Sequence, residues 1–571
     1  MATLQNNDES HYLHENGETS STEEVRHRKQ SDTTHEDHRP KRKKQKIHVK
    51  KYKAKPADPT MPLGILQIEI QNLLKSRGLE EKDVLNDMHL ILNDETTKAI
   101  QHRVESNIEI IEMSANGDGI ALTQHPLKSQ CQQICIVPFG LPGDKVEVRI
   151  FKSHPLYVEA DLLKVIEGSS YRNDELINCR YFGKCSGCQF QNVEYSQQLL
   201  FKRKIIENAY KNLAPSLFKS TEILKLIEET HPSPLQYGYR TKLTPHFNLP
   251  NTKKEIDVPP ALGFGAKGKP EWRPQAEGGD YSIVDIEECP IGTPVVNVGM
   301  HNQRERYLQN FRNYKKGATF LLRENSVIDD FHVDEKNNSF NEEKNVGVLE
   351  YSLDKEKKLH KTCVIDPKET VTEYVDDYKF QFSAGEFFQN NNSILESVIG
   401  YVKSNLYKSK SSPTYLVDAY CGSGLFSITC ANCVDKVVGV EVSAESVKFA
   451  RHNAGINSVE NTQFTVGAAE KIFENIDTPG LLTSVILDPP RKGSDESFLN
   501  QLSDYNPSRV IYISCNVHSQ ARDIQWFLNN TKNGNCYKIE SIKGFDFFPQ
   551  THHVESIAVL LRKSESSATA L

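Results

Sequence analysis

Leu416-Val417-Asp418-Ala419-Tyr420-Cys421-Gly422-Ser423-Gly424-Leu425 reads as an apolar strand running into a glycine-rich turn. Glycine there lets backbone approach a ligand where a Cβ would clash. Nineteen residues beyond Gly422, at the end of the next apolar run, stands Glu441. An acid at that distance can accept hydrogen bonds from ribose hydroxyls. The turn has the form Asp-x-x-x-Gly-x-Gly rather than the G-x-G-x-x-G of dinucleotide folds, which points to S-adenosylmethionine. Outward from it, Tyr415–Ala419, Lys436–Glu441, Ser484–Leu487 and Arg509–Ser514 read as strands. Ser443–Asn453 reads as a helix capped by Ser443 and stopped by Gly455. Strands alternating with helices imply a parallel sheet covered on both faces.

Two further strand ends carry chemistry. Asp488-Pro489-Pro490-Arg491 follows Val485–Leu487, and strand ends in such sheets open into the ligand crevice. Enzymes that methylate amino groups place an aromatic residue after the Pro-Pro pair; Arg491 here argues for a carbon target. Uracil C5 becomes nucleophilic only after something adds to C6, so that chemistry needs a thiolate and a base as well as a methyl donor. Cys515, in Ser514-Cys515-Asn516, ends the fourth strand. Glu555, in Thr551-His552-His553-Val554-Glu555, is the candidate base, and spacing alone leaves His552 and His553 as alternatives.

Phe388-Gln389, Asp418–Gly424, Glu441, Asp488–Arg491, Ser514–Asn516 and His553–Glu555 together resemble the RNA (uracil-5-)-methyltransferase family, in order and spacing, over about Arg103 to Arg562. The resemblance implies that Cys515 attacks C6 of the base and Glu555 removes the C5 proton. It also implies that Gln389, Tyr420, Glu441 and Asp488 hold S-adenosylmethionine, with Gln389 reaching either cofactor or target base. The family often has Asn where this chain has Leu425, so a cofactor contact is lost or replaced there. The remaining cysteines of this domain, Cys421, Cys430, Cys433 and Cys536, read as packing residues.

The 571 residues suit three or four domains, and the 37% hydrophobic fraction implies that part of the chain does not fold. Residues 1–38 carry nine acids against three bases; Arg39–Lys55 then holds ten Lys or Arg and no acid, the composition of a nuclear-import signal or nucleic-acid tether. The net charge of -7 is therefore an average over unlike parts and says little about partners. No run approaches the roughly 18 apolar residues of a membrane span.

Residues 1–60 are expected to be a disordered tail and 61–102 a helical linker, from the spacing of Ile65 to about Leu92. Short strands with Asn-Gly and Pro-Gly turns make 103–168 an OB-like barrel resembling the RNA-binding TRAM module. Residues 169–385 form a central α+β domain, with a helix at Tyr195–Leu213 and a polar surface insertion at Asn325–Asn345. Residues 386–571 are the Rossmann-like methyltransferase domain, so the fold class is multidomain α/β.

In the central domain, Cys179-x5-Cys185-x2-Cys188 with the remote Cys289 can share a metal. Bacterial ribosomal members of the family carry a [4Fe–4S] cluster on this arrangement; zinc and an unmetallated thiol group are the alternatives. Cys131, Cys135 and Cys363 lack such spacing. Tyr237–Lys242, with Phe264 and Lys267, interleaves aromatic and basic residues as RNA contacts do. The long basic N-terminus suggests a eukaryotic member. The resemblance then implies a monomeric nuclear or cytoplasmic enzyme making 5-methyluridine at the T-loop position 54 of tRNA. A ribosomal RNA substrate is the rival within the class, and a non-catalytic RNA-binding protein the rival outside it.

Overall fold

Helix α1 (Pro62–Ser76) starts with proline at its first position, where the missing N–H costs nothing. The computed structural model describes residues 49–563 except 55, 221, 250–256, 269–281, 331–343, 353–356, 468–471 and 474–475. The acidic tail and most of the Arg39–Lys55 run lie outside these residues. The single helical stretch expected from Ile65 to Leu92 is broken. Gly78, at φ 66°, turns the chain out of α1, and two short helices, Met88–Asn93 and Glu95–Gln101, follow. One face of α1 (Leu66, Ile70, Leu73, Leu74) packs on Ile120, Ile134, Ile136 and Tyr157 of the barrel.

The barrel strands are β1 (Val104–Met113), β2 (Asp118–Gln124), β3 (Gln132–Pro138), β4 (Lys145–Ser153) and β5 (Tyr157–Glu167), closed in the order β1-β2-β3-β5-β4. Alternate residues such as Ile108, Ile110, Val146 and Val148 fill its interior, as the two-residue period of a strand requires. The Asn116-Gly117 turn joins β1 to β2, with Gly117 at φ 76°.

Helix α2 (Tyr195–Leu213) follows. In the central region, Leu322–Asp330 and Asn345–Ser352 are strands, each paired antiparallel with Lys357–Val364. The polar stretch from Asn325 is therefore strand at both ends. Its polar residues find partners there: Asn325 Nδ2 donates to Thr362 Oγ1 (3.0 Å), and the Thr372 amide donates to Asn325 Oδ1 (2.7 Å).

The C-terminal sheet consists of β6 (Tyr415–Ala419), β7 (Lys436–Glu441), β8 (Thr462–Val466), β9 (Thr483–Leu487), β10 (Arg509–Ser514), β11 (Tyr537–Phe545) and β12 (Glu555–Arg562). Its order is β8-β7-β6-β9-β10-β12-β11, with the first five parallel and the last two antiparallel. Val417, Val438, Val485 and Val510 face one core, and Leu416, Val437, Ile486 and Ile511 the other. Helices α3 (Leu425–Thr429), α4 (Ala444–Ile456) and α5 (Val517–Asn530) complete the layers. Ser443 caps α4 by accepting from the Ser446 amide (3.2 Å). Gly455 does not stop α4, which runs to Ile456; the exit is at Asn457 and Ser458, the latter at φ 55°.

Candidate active site

Strand register assembles the site. Ala419 pairs with Val440 on β7 and with Leu487 on β9. One step further along each strand come Tyr420, Glu441 and Asp488, all at the carboxyl edge where ligands bind in such sheets. Tyr420 (φ 73°), Gly422 (φ 53°) and Gly424 (φ 94°) bend the chain sharply before α3. Glu441 accepts from the Gly422 amide through Oε2 (3.2 Å) and from the Ser443 amide through Oε1 (2.9 Å), so the acid spans the turn and the start of α4. Asn453 Nδ2 donates to the Ser423 carbonyl (3.0 Å) and holds the far side of the turn. Leu425 is buried in the core, so its side chain serves packing.

The antiparallel ladder of β10 and β12 ends with Ser514 opposite Ser556. The next positions are Cys515 and Glu555. Cys515 is exposed and Glu555 buried. Although Cys515 as a residue reaches the surface, its thiol sits among packed neighbours; that desolvation, then the negative charges of Glu555 and Asp488, push it up to about 12, while Arg491 opposes. Burial, then Asp488, lifts Glu555 to about 8, again with Arg491 opposing. Asp488 is raised to about 7 by burial and by Asp418. Asp418 is raised to about 7 by burial and by Glu441, although Ser427 Oγ donates to it at 2.6 Å. The resting pair is thus a neutral thiol beside a carboxyl of raised proton affinity, and Arg491 favours ionisation of both. Desolvation by packed neighbours lowers His553 to about 3, although part of that residue's surface reaches solvent, and holds His552 well below the usual histidine range. Of the three candidate bases, Glu555 is the one whose proton affinity is raised toward neutral pH.

The loop carrying Glu555 is held by residues far away in sequence. Lys202 and Asp546 form an ion pair with neither side chain exposed, and Lys202 Nζ also donates to the Phe548 carbonyl (2.9 Å). Gln198 Nε2 donates to Gln550 Oε1 (3.1 Å), and the Gln550 amide donates back to Gln198 Oε1 (3.0 Å). Tyr239 Oη donates to the Pro549 carbonyl (3.0 Å). Tyr239 is therefore a buried clamp on this loop rather than a surface stacking platform, and the Arg240 guanidinium lies 5.8 Å from the Phe548 ring centre. Gln389 is buried next to Phe388, which stacks on Phe382 (4.4 Å between ring centres). Two residues on, Asn391 Nδ2 donates to the Phe547 carbonyl (3.0 Å) and ties this segment to the loop.

A family profile described as tRNA (Uracil-5-)-methyltransferase matches residues 332–564, and the TRAM domain profile matches 101–163. A tRNA (uracil(54)-C(5))-methyltransferase of Saccharomyces cerevisiae is 53% identical over 540 residues, covering 91% of this chain and 84% of that one. The Schizosaccharomyces pombe protein of the same name is 41% identical over 514 residues, covering 89% and 85%. The chain belongs to the tRNA (uracil-5-)-methyltransferase family. The crystal structure of the Pyrococcus abyssi tRNA (uracil-54, C5)-methyltransferase in complex with S-adenosyl-L-homocysteine shares the fold, with a TM-score of 0.52 at 22% identity, covering 80% of this chain and all of that one. No helix among the described residues is long and apolar enough to cross a membrane.

Cys179, Cys185, Cys188 and Cys289 come within electrostatic reach: Cys289 and Cys179 raise the proton affinity of Cys185, Cys289, Cys185 and Cys179 raise that of Cys188, and Cys179 raises that of Cys289. Yet among the described residues no three His, Cys, Asp or Glu side chains are grouped to hold a metal ion. Burial is the main cause keeping these thiols neutral, with Cys185 pushed up to about 12.

Proposed function

We propose that the protein methylates C5 of the uridine at position 54 of tRNA. The two fungal relatives, matched along most of their length, carry that activity in their names. The observation that carries the chemistry is the opposition of Cys515 and Glu555 at the end of the β10–β12 ladder, one strand from Asp488. The base must leave its stack to reach them, because C5 and C6 are covered in a helix. Cys515 gives its proton to solvent at its exposed side, forms a bond from sulfur to C6 and pushes the ring electrons toward C5 and O4. Arg491 lies beside both reacting groups and offsets the charge that develops. S-adenosylmethionine, when bound, supplies an electrophilic methyl group. Glu555 takes the C5 proton; the C6–sulfur bond then breaks, returning its electron pair to Cys515 and restoring the C5–C6 double bond. Glu441, braced by the Gly422 and Ser443 amides, has lone pairs left for ribose hydroxyls.

RNA containing 5-fluorouridine tests this, because fluorine at C5 cannot leave as a proton and the adduct accumulates. Wild type should give a covalent complex by mass spectrometry and Cys515→Ala none; an adduct-free wild type would sink the mechanism. Nucleoside analysis of separated tRNA and ribosomal RNA from a deletion strain decides the substrate, and 5-methyluridine lost from ribosomal RNA alone would reverse it.

For the four central cysteines we propose a [4Fe–4S] cluster, whose cage needs its ligand sulfurs further apart than one ion does. Their spacing in the sequence and their electrostatic reach support this. Iron and sulfide in anaerobically purified protein are the expected result, and zinc alone defeats it.

A further inference from the structure

The turn that precedes the barrel reaches the nucleophile. Asn516, next to Cys515, donates through Nδ2 to the Thr60 carbonyl (3.0 Å), across 456 residues of sequence, and to the Arg491 carbonyl (2.9 Å). Its Oδ1 accepts from the His518 amide (3.2 Å), capping α5. Its own amide donates to Ser514 Oγ (3.1 Å). Asn516 therefore ties Cys515, Arg491 and the pre-barrel turn into one knot.

Thr60 is 1% exposed and cannot drift. Asp58 Oδ1 accepts from its amide (2.8 Å) and its hydroxyl (2.7 Å), and the Met61 amide donates to the Asp58 carbonyl (3.0 Å). Gly64 lets this turn fold back on α1, since a Cβ there would stand 2.0 Å from the Asp58 carbonyl oxygen.

The same turn is joined to the barrel. Asn116 Nδ2 donates to the Pro62 carbonyl (3.1 Å), and the Ala115 amide donates to Glu69 on α1 (2.8 Å). The next residue, Gly117, lies against the catalytic loop: a Cβ there would be 3.0 Å from the His552 Cβ. The β1–β2 turn thus touches the base-bearing loop on one side and the Thr60 turn on the other.

We infer that the Asp58–Pro62 turn, clasped by the barrel's Asn116, positions Cys515 and Arg491 through Asn516, so that the barrel and the catalytic pair form one rigid assembly. At the Cys515–Asn516 corner the Thr60 carbonyl takes one of the two Asn516 amide hydrogens and the Arg491 carbonyl is the other acceptor. Displacement of this turn leaves cofactor and RNA sites intact but lets the nucleophile wander.

The inference rests on Cys515 being the nucleophile, and the test separates the two. Full-length Asp58→Ala removes the acceptor that sets the Thr60 carbonyl; Asp58→Asn keeps it; Asn116→Ala releases the barrel's hold. The rate of covalent adduct formation with 5-fluorouridine RNA is measured beside RNA affinity and S-adenosylhomocysteine affinity. Asp58→Ala should form adduct about tenfold more slowly with both affinities within about twofold of wild type, the scale expected for a small misplacement of reacting groups. Asn116→Ala should show the same pattern at about threefold, and Asp58→Asn should restore most of the rate. A wild-type adduct with unchanged rates in both alanine variants overturns the inference alone. Losses in rate matched by equal losses in both affinities would show a merely structural role and overturn it too. Absence of adduct in an active wild type would instead remove the nucleophile reading, and this inference with it.

Discussion

Lys202→Met separates the stability of the catalytic loop from its placement. Lys202 and Asp546 are both fully buried, and burial pulls the lysine's proton affinity down while Asp546 opposes. Removing the cation leaves a buried carboxylate without its partner, and breaking such a pair costs about 3–5 kcal/mol. The compact unit that holds both residues runs from Lys50 to Leu571, and for a unit of that length the cost corresponds to a melting temperature lower by roughly 3–5 °C. Replacing both partners with apolar residues, Lys202→Met with Asp546→Leu, is often neutral or better because no charge is then desolvated. The double variant should therefore melt within about 1 °C of wild type. Activity should not follow stability, because Lys202 Nζ also holds the Phe548 carbonyl, seven residues before Glu555. The double variant is expected to be stable yet at least about tenfold slower in methyl transfer. Differential scanning fluorimetry and single-turnover methylation read the two effects. A single variant melting within about 2 °C of wild type would refute the reasoning, since a buried charge cannot be orphaned at no cost.

Arg491→Gln removes the cation that opposes protonation of both Cys515 and Glu555; the pH profile of kcat/KM should move about one unit alkaline, a screened interaction of about 1.4 kcal/mol. Glu441→Gln should weaken S-adenosylhomocysteine binding by about 10–100-fold, the worth of a charged hydrogen-bond acceptor, as calorimetry would show. Glu555 at about 8 and Asp418 and Asp488 at about 7 all lie above their unfolded values. The folded protein therefore holds protons the unfolded chain has lost, and ligand-free stability should fall as pH rises from about 4 to about 8, with Glu555→Gln flattening the slope. Over the same range kcat/KM should rise, because Glu555 must be ionised to take the C5 proton.

The parts of the fold legible in sequence were those written in local pattern. The runs at Tyr415–Ala419, Lys436–Glu441 and Arg509–Ser514 are strands with those bounds, and Tyr195–Leu213 is a helix, because apolar period and capping are short-range signals. The glycine turn and Glu441 meet because parallel register is set by the same runs. What local pattern could not carry was partnership at a distance. Gln198 and Gln550 are 352 residues apart, Tyr239 and Pro549 310, and nothing near Thr60 marks it as a neighbour of Asn516. Tyr239 looked like an RNA contact because exposure is invisible in a stretch that alternates aromatic and basic residues. Gly455 looked like a stop because a glycine near a helix end usually is one, yet here the left-handed exit falls to Ser458.

The charges at the sheet edge explain why this glycine turn suits a sulfonium ligand rather than a dinucleotide. Asp418, Glu441, Asp488 and Glu555 line neighbouring strand ends, and Asp418, Asp488 and Glu555 are each made harder to ionise by a neighbouring acid among them. A dinucleotide would bring two phosphates to such an edge, adding negative charge where acids already resist ionisation. A cation at the same place lowers the energy of every carboxylate around it. The acids therefore select for positive charge, and Arg491, exposed at the rim, stands where the reacting groups need a counterweight. An aromatic residue at that position could stack a base but could not offset the electron pair that Cys515 pushes into the ring. Arginine in place of an aromatic after the Pro-Pro pair thus works together with Cys515 and Glu555 to suit this methyl-donor site to a carbon target.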